Sequence, residues 1–216
     1  MKRKNMELCK VRPGEAFTLD GVEFVKLDED QEAAFILAAD TLGECCPFEA
    51  EDAEREDHNN FDGSFIQKAM ERFWRDQHPD IFNAIVERPI DLTSMDGMTT
   101  YGQPLTVARL LTIDEFRKYR RHIPLTSEAF WTATPWSTLR SPVSNAYNAY
   151  YVLADGSLYD YIVYGASFAP RPALYLKSSI LVSVETEGEE KALADYTDTE
   201  LMDELYRRRR ATYDAG

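Results

Sequence analysis

Cysteine is scarce in this 216-residue chain, and the three present, Cys9, Cys45 and Cys46, all fall in the first quarter with two of them adjacent. An odd count with a vicinal pair fits neither a disulfide framework nor the paired spacing of a zinc site, so free thiols made in a reducing compartment are expected. Long apolar runs are also missing. No stretch approaches the ~18 residues of a membrane-spanning helix, and the basic start, Met1 to Lys10, leads into no apolar segment of a secretion signal. A cytoplasmic protein without membrane insertion is therefore expected. The ten glycines form neither a phosphate-cradling loop nor a dinucleotide fingerprint. His58, His78 and His122 stand far apart and share no ligand spacing with Cys, Asp or Glu. Basic charge is short: 24 Lys and Arg face 38 Asp and Glu, for a formal net charge of -14. Binding to a nucleic-acid backbone relies on Lys and Arg neutralising phosphates, so no direct nucleic-acid binding is expected. Gly165-Ala-Ser167-Phe-Ala only loosely resembles a nucleophile elbow, because the second glycine is missing and Pro170 obstructs the helix that should follow. No catalytic residue, metal or cofactor is expected.

What is present is a globular composition, 44% hydrophobic and 12% aromatic, enough for one substantial core. Asp20-Gly21 and Asp155-Gly156 mark two hairpins, because Asx-Gly turns between alternating runs supply the positive φ that tight turns require. The first joins Phe17–Leu19 to Val22–Phe24, with the strand continuing through Val25 and Leu27. The second joins Tyr147–Ala154 to Ser157–Tyr164. A charged turn at Asp28-Glu29-Asp30 precedes Ala33–Ala39, a closely bounded apolar run predicted to be a buried strand, which makes the N-terminal part a small meander. Ala173–Leu176 and Ile180–Val184 are predicted closing strands.

Helix starts are written in capping chemistry. Ser64 with Gln67 and Thr112 with Glu115 each form a capping box, in which each side chain satisfies the other residue's free backbone N–H. After Ser64, the residues Phe65, Ile66, Ala69, Met70, Phe73 and Trp74 make one apolar face, and Pro79 ends the helix. Asp80–Val86 is predicted to be a short helix with Phe82 and Ile85 inward, and Asp91–Gln103 a long loop. After Thr112, Phe116 and Tyr119 face the core, while Lys118, Arg120 and Arg121 suit the negative end of the helix dipole. Thr197 with Glu200 opens a short amphipathic helix whose Leu201, Met202 and Leu205 form a narrow stripe, a candidate surface for homo-oligomer formation. The implied division is a polar segment over 1–15, an α+β domain over 16–184 and a charged linker with this helix over 185–216.

Two stretches are candidate sites. From Glu44 to Asp57, seven acids meet one arginine, Arg55, giving a solvated loop first, and otherwise a metal site or an acidic docking surface made of Glu49, Glu51, Asp52, Glu54, Glu56 and Asp57. Asp57–Gly63 has the outline of a calcium loop but places Phe61 at a ligand position and Lys68 where the closing Glu belongs. Across the second hairpin lie Trp136, Arg140, Asn145, Tyr147, Asn148, Tyr150, Tyr159, Tyr161 and Tyr164. Tyr and Trp offer large rigid contact area at low entropic cost, and Asn and Arg add directional hydrogen bonds, the composition of protein-binding surfaces. Strand alternation turns about half of these tyrosines toward the core.

Several segments, in this order, resemble the DUF6273 domain family of bacteria and phages, whose function is unknown. They are Phe17–Phe24, Ala33–Asp40, His58–Phe61 leading into the Ser64 helix, Leu110–Tyr119, Phe130–Ser137, Val152–Ser157 and Ala169–Leu176. The family looks like a relative of the C-type-lectin and formylglycine-generating-enzyme fold, so the resemblance implies a compact C-type-lectin-like α+β domain with antiparallel hairpins and two main helices, on which the late hairpin supports a variable ligand surface. Trp131 and Arg171, inside the matching segments, are expected to be structural. The chain departs from the catalytic members by having no cysteine after Cys46, and from calcium-dependent lectins by having Gln103-Pro104-Leu105 and no Trp-Asn-Asp. The implied function is a non-catalytic, phage-encoded module binding a protein or cell-surface ligand through the late hairpin. One alternative is an acidic, anti-CRISPR-like inhibitor occupying the nucleic-acid channel of a host defence nuclease. A third is a structural virion or assembly protein, which allows later incorporation in a phage particle.

Overall fold

The computed structural model describes residues 2–186. Asn5 to Val184 form one compact unit. In chain order the elements are β1 (Lys2–Glu7), a 3-10 turn at Leu8–Lys10, β2 (Ala16–Leu19), β3 (Val22–Glu29), β4 (Ala33–Ala38), α1 (Phe65–Gln77), α2 (Pro79–Ala84), β5 (Arg88–Pro89), β6 (Leu105–Thr106), α3 (Ile113–Tyr119), β7 (Phe130–Pro135), β8 (Asn148–Val152), β9 (Leu158–Ile162), β10 (Ala173–Lys177) and β11 (Leu181–Thr186). This is a mixed α/β architecture, and the strand pairings of its sheets are antiparallel where their register is given. It holds three α-helices among the described residues, where two main ones and a short third were predicted. None is long and apolar enough to cross a membrane.

A six-stranded sheet runs in the order β1-β11-β2-β3-β4-β10. Its centre follows from the β2–β3 turn, where Asp20 (φ 48°) and Gly21 (φ 78°) both take the left-handed conformation that lets a two-residue hairpin twist with its strands. The next turn starts two residues later than expected. Asp28 and Glu29 remain in β3, and Asp30 makes the turn by accepting the backbone N–H groups of Glu32 and Ala33, each at 2.8 Å. All six residues of β4 are buried, because its side chains alternate between two clusters. Ala34, Ile36 and Ala38 join Phe17, Phe24, Trp74 and Trp131 on one side, whereas Phe35 and Leu37 join Val25, Leu27, Phe116 and Phe130 on the other. A strand covered on both faces reads as a continuous apolar run. Leu8 (0%) and Val11 (2%) also belong to the core, so it reaches into the first fifteen residues.

Helix α1 starts where Ser64 Oγ accepts the backbone N–H of Gln67 at 3.3 Å, but the box closes differently from the expectation: Gln67 Oε1 accepts from Gly63 N at 2.6 Å, one residue earlier. Ile66, Met70 and Trp74 are buried, while Phe65, in the first turn, is 41% exposed and leaves the predicted apolar face. Helix α2 turns Ile81 and Ala84 inward; Phe82 and Ile85 are only partly covered. The capping box of α3 is complete in both directions, with Phe116 and Tyr119 buried as predicted.

A three-stranded sheet, β7-β8-β9, carries the late hairpin. Its turn is not the two-residue kind. Leu153 N donates to Ser157 O and Gly156 N donates to Leu153 O, leaving a three-residue loop in which only Gly156 (φ 84°) is left-handed. The Arg120 guanidinium lies over that glycine, so close that an added Cβ would sit 2.9 Å from its Cζ. Strand β7 has no counterpart in the sequence reading. It is buried throughout; Trp131 donates from Nε1 to Cys46 O at 3.1 Å and packs edge-on against Phe168, ring centroids 4.7 Å apart. Arg171, 1% exposed, donates to the carbonyls of Ala38, Ala39 and Pro124 and lies 5.0 Å from the Phe130 ring centroid. Burial lowers its pKa to about 10, and Asp40 opposes that shift. Both residues therefore sit in the interior, Arg171 joining the end of β4 to the segment before β7 and Trp131 joining β7 to Cys46 and Phe168.

Candidate functional site

Strands β8 and β9 pair from Asn148↔Ile162 to Val152↔Leu158, and the register divides the site. Side chains two apart along a strand share a face, so Ala149, Tyr151, Tyr159 and Tyr161 lie on one side and Asn148, Tyr150, Asp160 and Ile162 on the other. The nine residues singled out from the sequence are thus distributed over two faces and a loop.

On the first face Ala149 is fully buried, and Tyr151 lies flat on Phe168 with ring centroids 3.9 Å apart. Tyr159 stands 6.2 Å from Tyr151, and Tyr161 stands 5.5 Å edge-on from Phe168. They are 54% and 43% exposed. Gly165 leaves the room for this, since a Cβ there would come within 2.6 Å of the Tyr161 ring. Where the hairpin opens, His58 stacks on Tyr147 at 5.4 Å and meets Tyr164 edge-on at 5.3 Å. Tyr147 is 48% exposed. Tyr164 is half-buried, and burial, then the neighbouring Tyr147 and Glu49, raise its phenol above the usual range.

On the second face, Asn148 Nδ2 donates to Asp160 Oδ2 at 2.7 Å. Tyr150 beside them is half-buried, its phenol raised by burial first and by Asp160 second. Trp136, Arg140 and Asn145 belong to the loop between β7 and β8. Arg140 is exposed; Trp136 and Asn145 are half-buried, and Asn145 Oδ1 accepts the backbone N–H of Tyr147 at 3.2 Å.

That loop is held from within by a residue the sequence reading did not single out. Asn59, fully buried, donates from Nδ2 to the carbonyls of Ser137 (2.9 Å), Asn145 (3.1 Å) and Asn148 (2.8 Å), and its Oδ1 accepts from the Tyr101 hydroxyl at 2.8 Å. Its backbone N–H donates to Ala146 O. Its sequence signals were the Asn-Asn pair inside the rejected calcium-like loop and its place in the family-like segment His58–Phe61. Tyr151, Phe168 and His58, the base of the aromatic surface, were likewise missed as site residues.

The acidic stretch divides too. Glu49 is 4% exposed and leaves the predicted acidic surface: Oε1 accepts the backbone N–H of Ala50 at 2.9 Å and of Phe65 at 3.2 Å, capping α1 where the helix dipole favours an anion. Asp57 is half-buried, accepting from Arg55 Nε at 3.1 Å and Asn60 Nδ2 at 2.8 Å. Arg55 also donates to the carbonyls of Asp57, Asn60 and Asp62. Glu51, Asp52, Glu54 and Glu56 remain exposed, with no ion-pair partner among the described residues.

Cys46 carries little nucleophilic character, because burial, and then Cys45, push its thiol up to about 11. Among the described residues no three His, Cys, Asp or Glu side chains are placed to hold a metal ion. A separate groove of about 490 Å³ is lined by Glu23, Asp40, Arg121 and His122 over a floor containing Val25 and Ile123. The predicted oligomer residues Leu201, Met202 and Leu205 lie outside the described residues. The chain matches no protein-family model, no curated protein and no solved structure.

Proposed function

We propose that this chain is a non-catalytic binding module, built on a C-type-lectin-like scaffold of the DUF6273 kind and encoded by a phage, that engages a protein or cell-surface ligand through the aromatic side of β8–β9. The observation that carries this reading is the contrast at Tyr147, Tyr159 and Tyr161: each ring is between 43% and 54% exposed yet is in ring contact with neighbours that are more deeply buried. Such rings are already ordered before a partner arrives, so binding loses little side-chain entropy and removes a large apolar area from water. The test is capture of host-surface and lysate proteins on the full chain beside a Tyr159→Ala/Tyr161→Ala variant. Partners held by the parent and lost by the variant support the reading; a retained set that is the same for both overturns it.

A second reading, an acidic inhibitor placed in the nucleic-acid channel of a defence nuclease, is favoured by Glu51, Asp52, Glu54 and Glu56. Arg55 is engaged inward, and these four carboxylates keep their charge facing solvent. Binding of that kind weakens steeply with salt and survives the tyrosine changes.

A further inference from the structure

Among the described residues the outer side of β9 is an unpaired strand edge, and its polarity follows from hydrogen bonds at the two ends of the hairpin. Leu153 N donates to Ser157 O, and Val163 N donates to Tyr147 O. Narrow pairs recur every second residue in an antiparallel ladder, so Tyr159 and Tyr161 bond inward to β8. The even residues of β8 point the opposite way, toward β7, as shown by Trp136 N donating to Asn148 O at 3.0 Å and Thr132 Oγ1 donating to Tyr150 O at 2.9 Å. In β9 the even residues therefore aim outward. Leu158 and Asp160 present both their N–H and C=O groups, and Ile162 presents its N–H, to no partner among the described residues; only Ile162 O is taken, by Gly165 N.

Edges of this kind are normally blunted by Pro, Lys, a bulge or a covering element. Leu158-Tyr-Asp-Tyr-Ile162 has neither Pro nor Lys, and its register with β8 is unbroken. Tyr159, Tyr161 and Ile162 are all more than 40% exposed along it. The one charge is Asp160, and it selects the occupant. A second copy paired antiparallel over all five residues would set Asp160 beside its own equivalent, between chains of net charge -14, and like charges directly opposite destabilise a strand pair. A basic strand has the opposite effect.

We infer that β9 receives an extended segment of a partner protein by strand addition, with a Lys or Arg of that segment beside Asp160 and its alternate, apolar side chains lying against Tyr159 and Tyr161. The inference rests on the binding role proposed above. The N–H and C=O groups of Leu158 and Asp160 supply affinity without regard to sequence, and Asp160 and the two tyrosines supply the preference.

The experiment uses the full chain. Amide hydrogen exchange followed by NMR should show Leu158, Asp160 and Ile162 exchanging at least about tenfold faster than Tyr159 and Tyr161; equal protection of all five overturns an open edge. A displayed library of random dodecapeptides should then yield binders with Lys or Arg at alternate positions, and a synthetic binder should protect the same three amides. Asp160→Pro removes an outward N–H, together with the carboxylate, while leaving the backbone ladder to β8, and should abolish that binding, as should N-methylation of the peptide's bonding amides; Asp160→Asn, which removes the charge alone, should only weaken it. A library without binders, or unchanged binding by both the proline variant and the methylated peptide, overturns strand addition. Loss of binding in Tyr159→Ala/Tyr161→Ala with retention in Asp160→Pro overturns strand addition and leaves the aromatic surface standing. The reverse pattern keeps the edge and removes the tyrosines from the proposed function.

Discussion

The acidic loop around Glu49–Gly63 and the β8–β9 hairpin both display side chains to solvent, but they are kept in shape by different forces. The hairpin is ordered by a backbone ladder and by rings packed on Phe168, Tyr151 and Trp131. The loop has no ladder. It is ordered by three polar side chains turned inward, Glu49 on the start of α1, Arg55 on three carbonyls and Asn59 on three more. Many weak apolar contacts degrade gradually when one is lost, whereas a buried polar side chain that is removed leaves its partners unsatisfied in a medium that cannot solvate them. The loop should therefore be brittle and the hairpin tolerant.

The largest expected effect is at Asn59. Replacement by Ala strands the carbonyls of Ser137 and Asn145 and the Tyr101 hydroxyl, leaves the Asn148 carbonyl with the Trp136 N–H alone, and should lower stability in urea by about 3–5 kcal/mol. Asn59→Asp should be no milder, since a carboxylate would face three carbonyl oxygens. Next comes Arg55→Ala, at about 1–3 kcal/mol, with the residues from Glu51 to Asp57 becoming the first site of limited proteolysis. Arg55→Lys should recover little of this, because an ammonium lacks the planar fork that reaches three carbonyls at once. If Arg55→Ala unfolds as late as the parent and resists protease equally, the contrast between the regions fails.

On the hairpin side, Gly156→Ala should cost about 1–2 kcal/mol, from the left-handed φ and from contact with the Arg120 guanidinium. A double-mutant cycle with Arg120→Ala separates the two: the steric part is recovered and the backbone part remains. Tyr159→Ala should change stability by no more than about 0.5 kcal/mol while removing partner binding. The smallest effect expected is at the turns. Backbone N–H groups of Glu32 and Ala33 hold the Asp30 carboxyl below its ordinary value, and the Ser157 N–H does the same at Asp155. A depressed folded-state pKa stabilises above the unfolded value of 3.8 and is lost as pH falls through the folded one. Stability should accordingly decline as pH falls below 3.8, and NMR titration should find both carboxyls protonating below that value.

Much of the framework could be read before the structure because its signals are local. Asp20-Gly21, Thr112 with Glu115, and the closely bounded run from Ala33 specify conformation from residues within a few positions of one another. The same economy failed at β7. Phe130–Pro135 is buried throughout, so it has neither alternation nor a turn dipeptide to announce it. Phe65 failed for another reason: it fits the apolar stripe of α1 by spacing, but it occupies the first helical position, where the stripe passes beyond the edge of the core. The acidic residues failed by identity. Glu49 and Glu51 are chemically alike in sequence, and it is the approach of the Phe65 N–H and of Arg55 that distinguishes the first, which is buried.

Composition, turn chemistry and capping, acting over three or four residues, determined by themselves that this protein has a meander, two capped helices and a tyrosine-rich late hairpin. Which tyrosines face solvent, which acids are buried, and that β9 is the last strand of its sheet among the described residues were decided in three dimensions. Asn59 shows why: its side chain meets partners 78, 86 and 89 residues away, and no local pattern encodes a contact at that range.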